Sequence, residues 1–277
     1  MPECLASFGA VVITGASSGI GEEFVRTIHN LNPKAKIFNL SRSSPSILTE
    51  IAQLRHCPAD LSSAAGQEAA ARGAEQWLDA EGAGGKILLL NNSGFGSYGP
   101  FPAPNEARTL AMVDLNMRAP VMLTARLLPK LLVRGGAVVN LASTAAFQPT
   151  PLFSVYGATK AFVLNWSLGL WRELLGTNVH VLCVCPGPTS TNFFRGAGFT
   201  EAPLPGNFGQ TSPQVVAESL RALANRKPLV VCGWSNKITA TLSSCLPRVW
   251  VTRIVHRMMQ KMRLGPLTQQ QRSKTES

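Results

Sequence analysis

Acidic residues are scarce in this sequence. Its 277 residues hold 15 Asp and Glu against 26 Lys and Arg, a formal net charge of +11. The excess is uneven: seven basic residues from Arg248 onward meet one acid, Glu276, so +6 of the +11 lies in the last 30 residues. Such a tail suits an anionic partner, be it a membrane surface, an acidic ligand or nucleic acid. No aromatic interleaving or recognised motif accompanies these charges, which makes nucleic acid an unlikely partner. Tyrosine is scarcer still. Only Tyr98 and Tyr156 occur, so any task for a phenol has two candidates. The six cysteines form no C-x-x-C pair, and no His/Cys cluster has zinc-ligand spacing, so no metal site is expected. No disulfide framework is evident, which fits a reducing compartment such as the cytoplasm. The N-terminus lacks the basic and apolar regions of a signal peptide. No run reaches 18 apolar residues, so no spanning helix is expected. Repeats and a linker that would split the chain are absent too.

What is present is apolar and glycine-rich. Hydrophobic residues make up 45% and charged residues 15%, with 24 glycines, which suits an α/β core with many tight turns. Short apolar runs at 8–13, 35–40, 56–60, 86–90, 137–141, 179–185 and 229–232 predict seven strands. Pro58 interrupts the third. Amphipathic or Ala-rich stretches at 22–31, 62–80, 106–133, 153–175 and 212–225 predict the helices between them, the second ended by Gly82-Ala83-Gly84-Gly85. Ser212 is the expected cap of the last, with Pro213 at its first position. Strand alternating with helix throughout gives one Rossmann-type, doubly wound, parallel α/β sheet in a single domain. Cys183 and Cys185 flank one residue of the sixth strand and pack as small hydrophobes.

The first strand runs into Thr14-Gly15-Ala16-Ser17-Ser18-Gly19-Ile20-Gly21, and a helix follows. Strand, glycine-rich turn and helix is the order that binds a dinucleotide. Gly15 allows the tight turn, Gly19 lets backbone approach a pyrophosphate, and Gly21 lets helix and strand pack closely. The helix N-terminus then offers free N–H groups and a positive dipole end. The second strand ends in Ser41-Arg42, where an NAD site would carry an acid for the ribose hydroxyl. An arginine fork there pairs with a 2′-phosphate, so NADP(H) is the expected cofactor. Asp60 can accept from an adenine amino group. Asn92-Ser93-Gly94 sits where parallel strands present their C-terminal ends to ligands.

Tyr156 and Lys160 lie one helical turn apart and point the same way. A free phenol has a pKa of about 10; a nearby ammonium favours the phenolate and is expected to lower that value. Ser143 adds a hydroxyl that can hold a substrate oxygen. The set is a device for moving a proton on or off a carbonyl or alcohol oxygen. Asn116, in mid-helix, is mildly unfavourable for the helix and is either inert or the holder of a water.

Together, TGASSGIG, NNSG at 91–94, Asn116, Ser143, Tyr156-x-x-x-Lys160 and PGPTST at 186–191 resemble the short-chain dehydrogenase/reductase family, over about residues 6–233. Segments such as SGFGSYGPF look like its 3-oxoacyl and 17β-hydroxysteroid reductase branch. Ser93 replaces the alanine most members carry. The resemblance implies Tyr156 as general acid or base, Lys160 on the nicotinamide ribose, Ser143 on the substrate oxygen, and Asn116 holding a water of a proton relay. It implies cofactor contacts from Gly15, Ser17, Ser18, Gly19, Ile20, Gly21, Ser41, Arg42, Asp60, Leu61, Asn92, Ser93, Gly94, Tyr156, Lys160, Pro186, Gly187, Thr189 and Thr191. It implies a dimer or tetramer as well. The alternative is a non-catalytic NADP(H)-binding sensor or scaffold.

The expected organisation is a catalytic domain over 6–233, with 192–211 as substrate loop, and a C-terminal extension over 234–277. Phe193, Phe194 and Phe199 in the loop point to a lipophilic substrate. In the extension Val251, Ile254, Val255, Met258, Met259 and Met262 share one helix face, with Arg253, Arg257 and Lys261 opposite. That basic amphipathic helix can pack on the domain, on a second subunit or on an anionic membrane. Residues 269–277 are polar and expected to fray.

Overall fold

The apolar run after Ser7 becomes β1 (Phe8–Thr14), in which only Gly9 escapes full burial. Burial along its whole length requires cover on both faces, and a parallel sheet between helix layers supplies it. The computed structural model describes residues 5–81, 84–102, 105–191, 193, 197 and 209–261. Among these, β2 (Lys36–Ser41), β3 (Leu54–Pro58), β4 (Lys86–Asn91), β5 (Gly136–Leu141), β6 (Val179–Cys185) and β7 (Leu229–Val231) join β1. They form a seven-stranded sheet in the order β3-β2-β1-β4-β5-β6-β7, every pairing parallel. The order reverses between β1 and β4, which opens a crevice beyond their C-terminal ends. Pro58 is tolerated because β3 is an edge strand.

Alternate residues feed two cores, as the strand period of two demands. Val11, Ile13, Leu88 and Leu90 pack against α1 (Gly19–Leu31) through Phe24, Val25 and Ile28. The same core takes Val215, Val216 and Leu220 of α6 (Ser212–Ala224). Val12, Leu89, Val138 and Val181 face the other way. There they meet Trp77 of α2 (Ala64–Ala80), Leu123, Leu127 and Leu131 of α4 (Ala119–Arg134), and Leu170 of α5 (Ser154–Glu173). Each such buried side chain stabilises the fold by roughly 1.5–3 kcal/mol over an exposed one.

Three local expectations are corrected. The stretch 106–133 is not one regular helix. It is α3 (Glu106–Val113), a π-helical turn (Asp114–Arg118) and then α4. The extra residue of a π turn aims Asn116 inward, where its amide finds partners, so the mid-helix asparagine marks the break. The cap of α6 is Thr211, not Ser212. Thr211 Oγ1 accepts from Gln214 N at 3.4 Å, and Gln214 Oε1 accepts from Thr211 N at 3.0 Å, a reciprocal box. The extension, expected to hold one helix, holds two: α7 (Trp234–Cys245) precedes α8 (Arg248–Lys261). Expectations for residues 82–83, Phe194, Phe199, Met262, the 269–277 tail and most of the 192–211 loop lie outside the described residues.

Candidate active site

The crevice between β1 and β4 is shaped by backbone and small polar side chains. Gly15 turns with φ +73°, a conformation that favours glycine, and a Cβ there would meet Ser93 Oγ at 2.6 Å. A Cβ on Gly21 would collide with the Gly15 carbonyl and with Asn92 Nδ2, so α1 starts close against β1. Asn92 Nδ2 donates to the carbonyls of Thr14 and Gly15 at 2.9 and 3.0 Å, which ties β4 to the glycine turn. Thr14, which opens the TGASSGIG motif, and Asn39, which was not among the sequence candidates, complete the frame. Thr14 Oγ1 accepts from the N–H groups of Asn92 and Ser93 at 3.0 and 2.9 Å. Asn39 Oδ1 accepts from Ala16 N at 3.0 Å. A polar residue inside an apolar strand, as Asn39 is in KIFNLS, is the signal that could have flagged it.

Ser18 caps α1 without any side-chain hydrogen bond, whereas Ser63, Asn105 and Thr211 cap α2, α3 and α6 with theirs. The first-turn N–H groups of α1 therefore face the crevice free of a side-chain acceptor, as a phosphate site requires. Ser41 is buried, its Oγ donating to the Ser43 carbonyl at 2.8 Å and accepting from Asn39 Nδ2 at 2.8 Å. Arg42 next to it is exposed. The Asp60 carboxyl is held below the usual carboxylate range, first by hydrogen bonds from the Ser62 side chain and N–H, and further by the charge of Arg42. Arg42 and Asp60 thus stand near each other at the ends of β2 and β3. The residues present fit a nicotinamide dinucleotide whose pyrophosphate lies at the start of α1.

On the other side of the crevice, Tyr156 and Lys160 of α5 are both buried, 6% and 5% exposed. Lys160 Nζ stands 5.8 Å from the Tyr156 ring centroid and donates to the Leu141 carbonyl at 2.8 Å. Ser143 follows β5 and its side chain is hydrogen-bonded to the Tyr156 phenol. The expected depression of the phenol pKa does not occur in the protein alone. Burial is the largest influence and pushes Tyr156 up to about 12; the Ser143 hydrogen bond pulls the other way, and the buried Cys185 thiol adds to the rise. The same burial pulls Lys160 down to about 8.

Asn116 is buried and fully engaged. Its Nδ2 donates to Phe95 O and Thr159 Oγ1, each at 3.0 Å, and its Oδ1 accepts from Phe95 N at 3.2 Å. A Cβ on Gly94 would lie 3.1 Å from Asn116 Oδ1 and 3.2 Å from Lys160 Nζ, so both groups border that glycine. Above Tyr156 lies an aromatic wall. Phe153 stacks on it with centroids 4.3 Å apart, Phe193 tilts against it at 5.4 Å, and Tyr98 reaches Phe153 at 6.4 Å. Met112, Ala197 and Met259 close the same apolar cluster. Of the two tyrosines, Tyr156 is therefore the one beside Ser143 and Lys160, and Tyr98 is part of the wall. Thr189 and Pro186 are buried beyond β6, and Gly19 packs against Thr191, so the PGPTST segment flanks the glycine turn.

Cysteines 183 and 185 are buried with their sulfurs 3.9 Å apart, as two residues on one strand face should be. No cluster of metal-ligating side chains occurs among the described residues. Nor is any helix among them long and apolar enough to cross a membrane.

Comparison with known proteins agrees with this geometry. A family model described as short chain dehydrogenase matches residues 9–201. The serine 3-dehydrogenase of Agrobacterium fabrum is 34% identical over 192 residues, spanning 67% of this chain and 74% of its own. The ketoacyl reductase HetN of Nostoc sp. is 28% identical over 245 residues, 85% of this chain and 82% of its own. A short-chain dehydrogenase from Sphingobium yanoikuyae, solved in complex with NADPH, superposes with a TM-score of 0.72. It is 26% identical and covers 87% of this chain and 97% of its own.

Proposed function

This chain belongs to the short-chain dehydrogenase family and is an oxidoreductase between alcohol and carbonyl, and we propose that it uses NADP(H) and takes a lipophilic ketone or the matching alcohol. The observation that carries this reading is the set of buried Tyr156 and Lys160 with half-buried Ser143 beneath an aromatic wall. The cofactor preference rests on Arg42 at the end of β2, where no acid stands to hold a ribose hydroxyl and where a guanidinium fork suits a 2′-phosphate. The solved relative with NADPH supports the same choice.

The glycine turn, the uncapped start of α1, Asn92 to Gly94 and the PGPTST segment would hold the dinucleotide. When bound, NADP(H) supplies or accepts a hydride; the protein supplies placement and the proton. In reduction, the Ser143 hydroxyl and the Tyr156 phenol both hydrogen-bond the carbonyl oxygen, and Tyr156 gives it a proton. A phenol pushed up to about 12 stays protonated at neutral pH, the form a donor needs. The Lys160 ammonium, charged below its pKa of about 8, favours the phenolate left behind. Asn116 is a positioning residue: it fixes Phe95 to Thr159, one residue before Lys160.

The relatives differ in what their names say they act on, an amino acid in one and a ketoacyl compound in another. The substrate class therefore comes from this chain's own lining of Tyr98, Phe153, Phe193 and Met112, which favours an apolar body beside the reacting oxygen. The test is NADPH oxidation against a ketone series of increasing chain length, with Tyr156→Phe as control. Turnover should rise with chain length and fall by about 10²–10⁴ in the variant. A variant as fast as the wild type would remove Tyr156 from the mechanism. Tight NADPH binding without turnover of any ketone would favour a non-catalytic sensor.

A further inference from the structure

Two stripes of large apolar side chains lie bare on the C-terminal helix pair. On α7 they are Trp234, Ile238 and Leu242, 76%, 50% and 56% exposed; on α8 they are Trp250, Ile254 and Met258, 64%, 51% and 56% exposed. Both follow i, i+4, i+8 spacing, so each forms a continuous ridge. Isolated exposed apolar residues are ordinary, but ridges with two tryptophans mark an interaction surface.

Charge selects the partner. From Ser219 through Thr275 the sequence contains no Asp or Glu. Arg248, Arg253 and Arg257 stand exposed on α8. Lys237 on α7 comes within 4.0 Å of Glu218, on α6. Arg263, Arg272 and Lys274 follow in sequence, against Glu276 alone. A symmetric second copy would bring these cations opposite themselves with no acid between them, which disfavours self-pairing. An anionic bilayer has the matching chemistry: headgroups for arginine, the interface for tryptophan, the acyl boundary for Ile254 and Met258.

The inner sides of the same helices reach the active site. Val251 and Val255 are buried, and Met259 packs in the cluster that holds Tyr156, Phe153 and Phe193. Asn236 of α7 presses on Gly187 of the PGPTST segment. Ser243 donates to Gln148 Oε1 at 2.6 Å, just beyond the 3-10 turn (Thr144–Phe147) that Ser143 caps.

We propose that the α7–α8 pair docks on an anionic lipid surface, with Met259 on its inner face forming the wall past which a lipophilic substrate leaves the bilayer for Tyr156. The delivery part rests on the lipophilic-ketone reading above; the docking part does not.

The test is flotation of the full chain with vesicles of phosphatidylcholine and phosphatidylglycerol in a two-to-one ratio, and with phosphatidylcholine alone. The protein should float with the mixed vesicles at low salt and far less with the neutral ones, and salt should release it. Arg253→Glu with Arg257→Glu should weaken binding more than tenfold, each lost cation being worth about fivefold. Trp250→Ser with Ile254→Ser should abolish flotation while circular dichroism and turnover of a water-soluble ketone stay at wild-type levels. Wild-type protein that stays with the soluble fraction, or floats equally with neutral vesicles, overturns the proposal. So does a dimer in sedimentation equilibrium that Trp250→Ser dissociates, since a second copy then covers the ridges. Flotation needs no turnover, so an enzyme silent on every ketone would fail the substrate reading and leave docking intact.

Discussion

Lys160 spends its hydrogen bond on the Leu141 carbonyl, 2.8 Å away, while its Nζ hangs 5.8 Å from the centre of the Tyr156 ring. Both groups are buried, and burial favours the neutral form of each, which is why one pKa falls to about 8 and the other rises to about 12.

Stability should depend on pH through Lys160. Its folded pKa of about 8 lies below the ordinary lysine value of 10.5. Between those values the unfolded chain binds more protons than the folded one, so stability rises with pH across that window. Below about 8 the full cost of burying the charge is present. From pH 7.5 to 9.5 the wild type should gain about 2 kcal/mol relative to Lys160→Met, measured by urea unfolding. Tyr156 has the opposite sign: its pKa is raised, so stability declines from about 10 to about 12. Equal slopes in wild type and Lys160→Met would show that Lys160 is not depressed.

Arg42→Asp should move the cofactor preference toward NADH. Loss of one charge-assisted pair to a phosphate is worth about 1.5–3 kcal/mol, so KM for NADPH should rise roughly 10- to 100-fold with kcat nearly unchanged. Arg42 is exposed, so the fold should tolerate the change. Unaltered NADPH selectivity would place the 2′-phosphate elsewhere.

Asn116→Ala strips Phe95 of both its backbone partners and Thr159 of a donor. Unfolding free energy should fall by about 1–3 kcal/mol. Because the bonds hold the segment next to Lys160, kcat should fall as well while the NADPH dissociation constant holds. A loss of stability with kcat intact would reduce Asn116 to a purely structural tie.

Phe193→Ala removes the ring that tilts on Tyr156 at 5.4 Å. Aromatic pairs contribute about 0.5–1.5 kcal/mol beyond burial, so KM for a long-chain ketone should rise roughly 3- to 10-fold. KM for a small ketone should barely move. Equal effects on both would mean that Phe193 shapes the site without touching the substrate.

Much of this molecule is legible from its sequence because period and punctuation agree. The strand 179–185 is bounded by Asn178 and Pro186, and its ends are found to the residue. Tyr156 and Lys160 are legible as a pair because helix spacing alone puts them together. What escapes depends on contacts distant in sequence. The π turn exists because Asn116 meets Phe95, and no local pattern encodes that meeting. Thr211 outcompetes Ser212 as a cap because Gln214 reciprocates. α7 is hard to read from sequence since its apolar ridge, Trp234, Ile238 and Leu242, faces outward, with only Ala240 fully buried. The Tyr156 shift runs opposite to the sequence expectation because proximity of a charge is visible in sequence and depth of burial is not.

The five-residue turn at Asp114–Arg118 gives the long α3–α4 rod a surplus residue, so its two halves count from different zeros. If all its residues wound evenly as α-helix, every residue on one side would swing by about 100° relative to the other. Met112 or Leu123 would then lose its seat, and no choice of replacement side chain could restore both. Length, as well as residue identity, is therefore under constraint at this point of the chain.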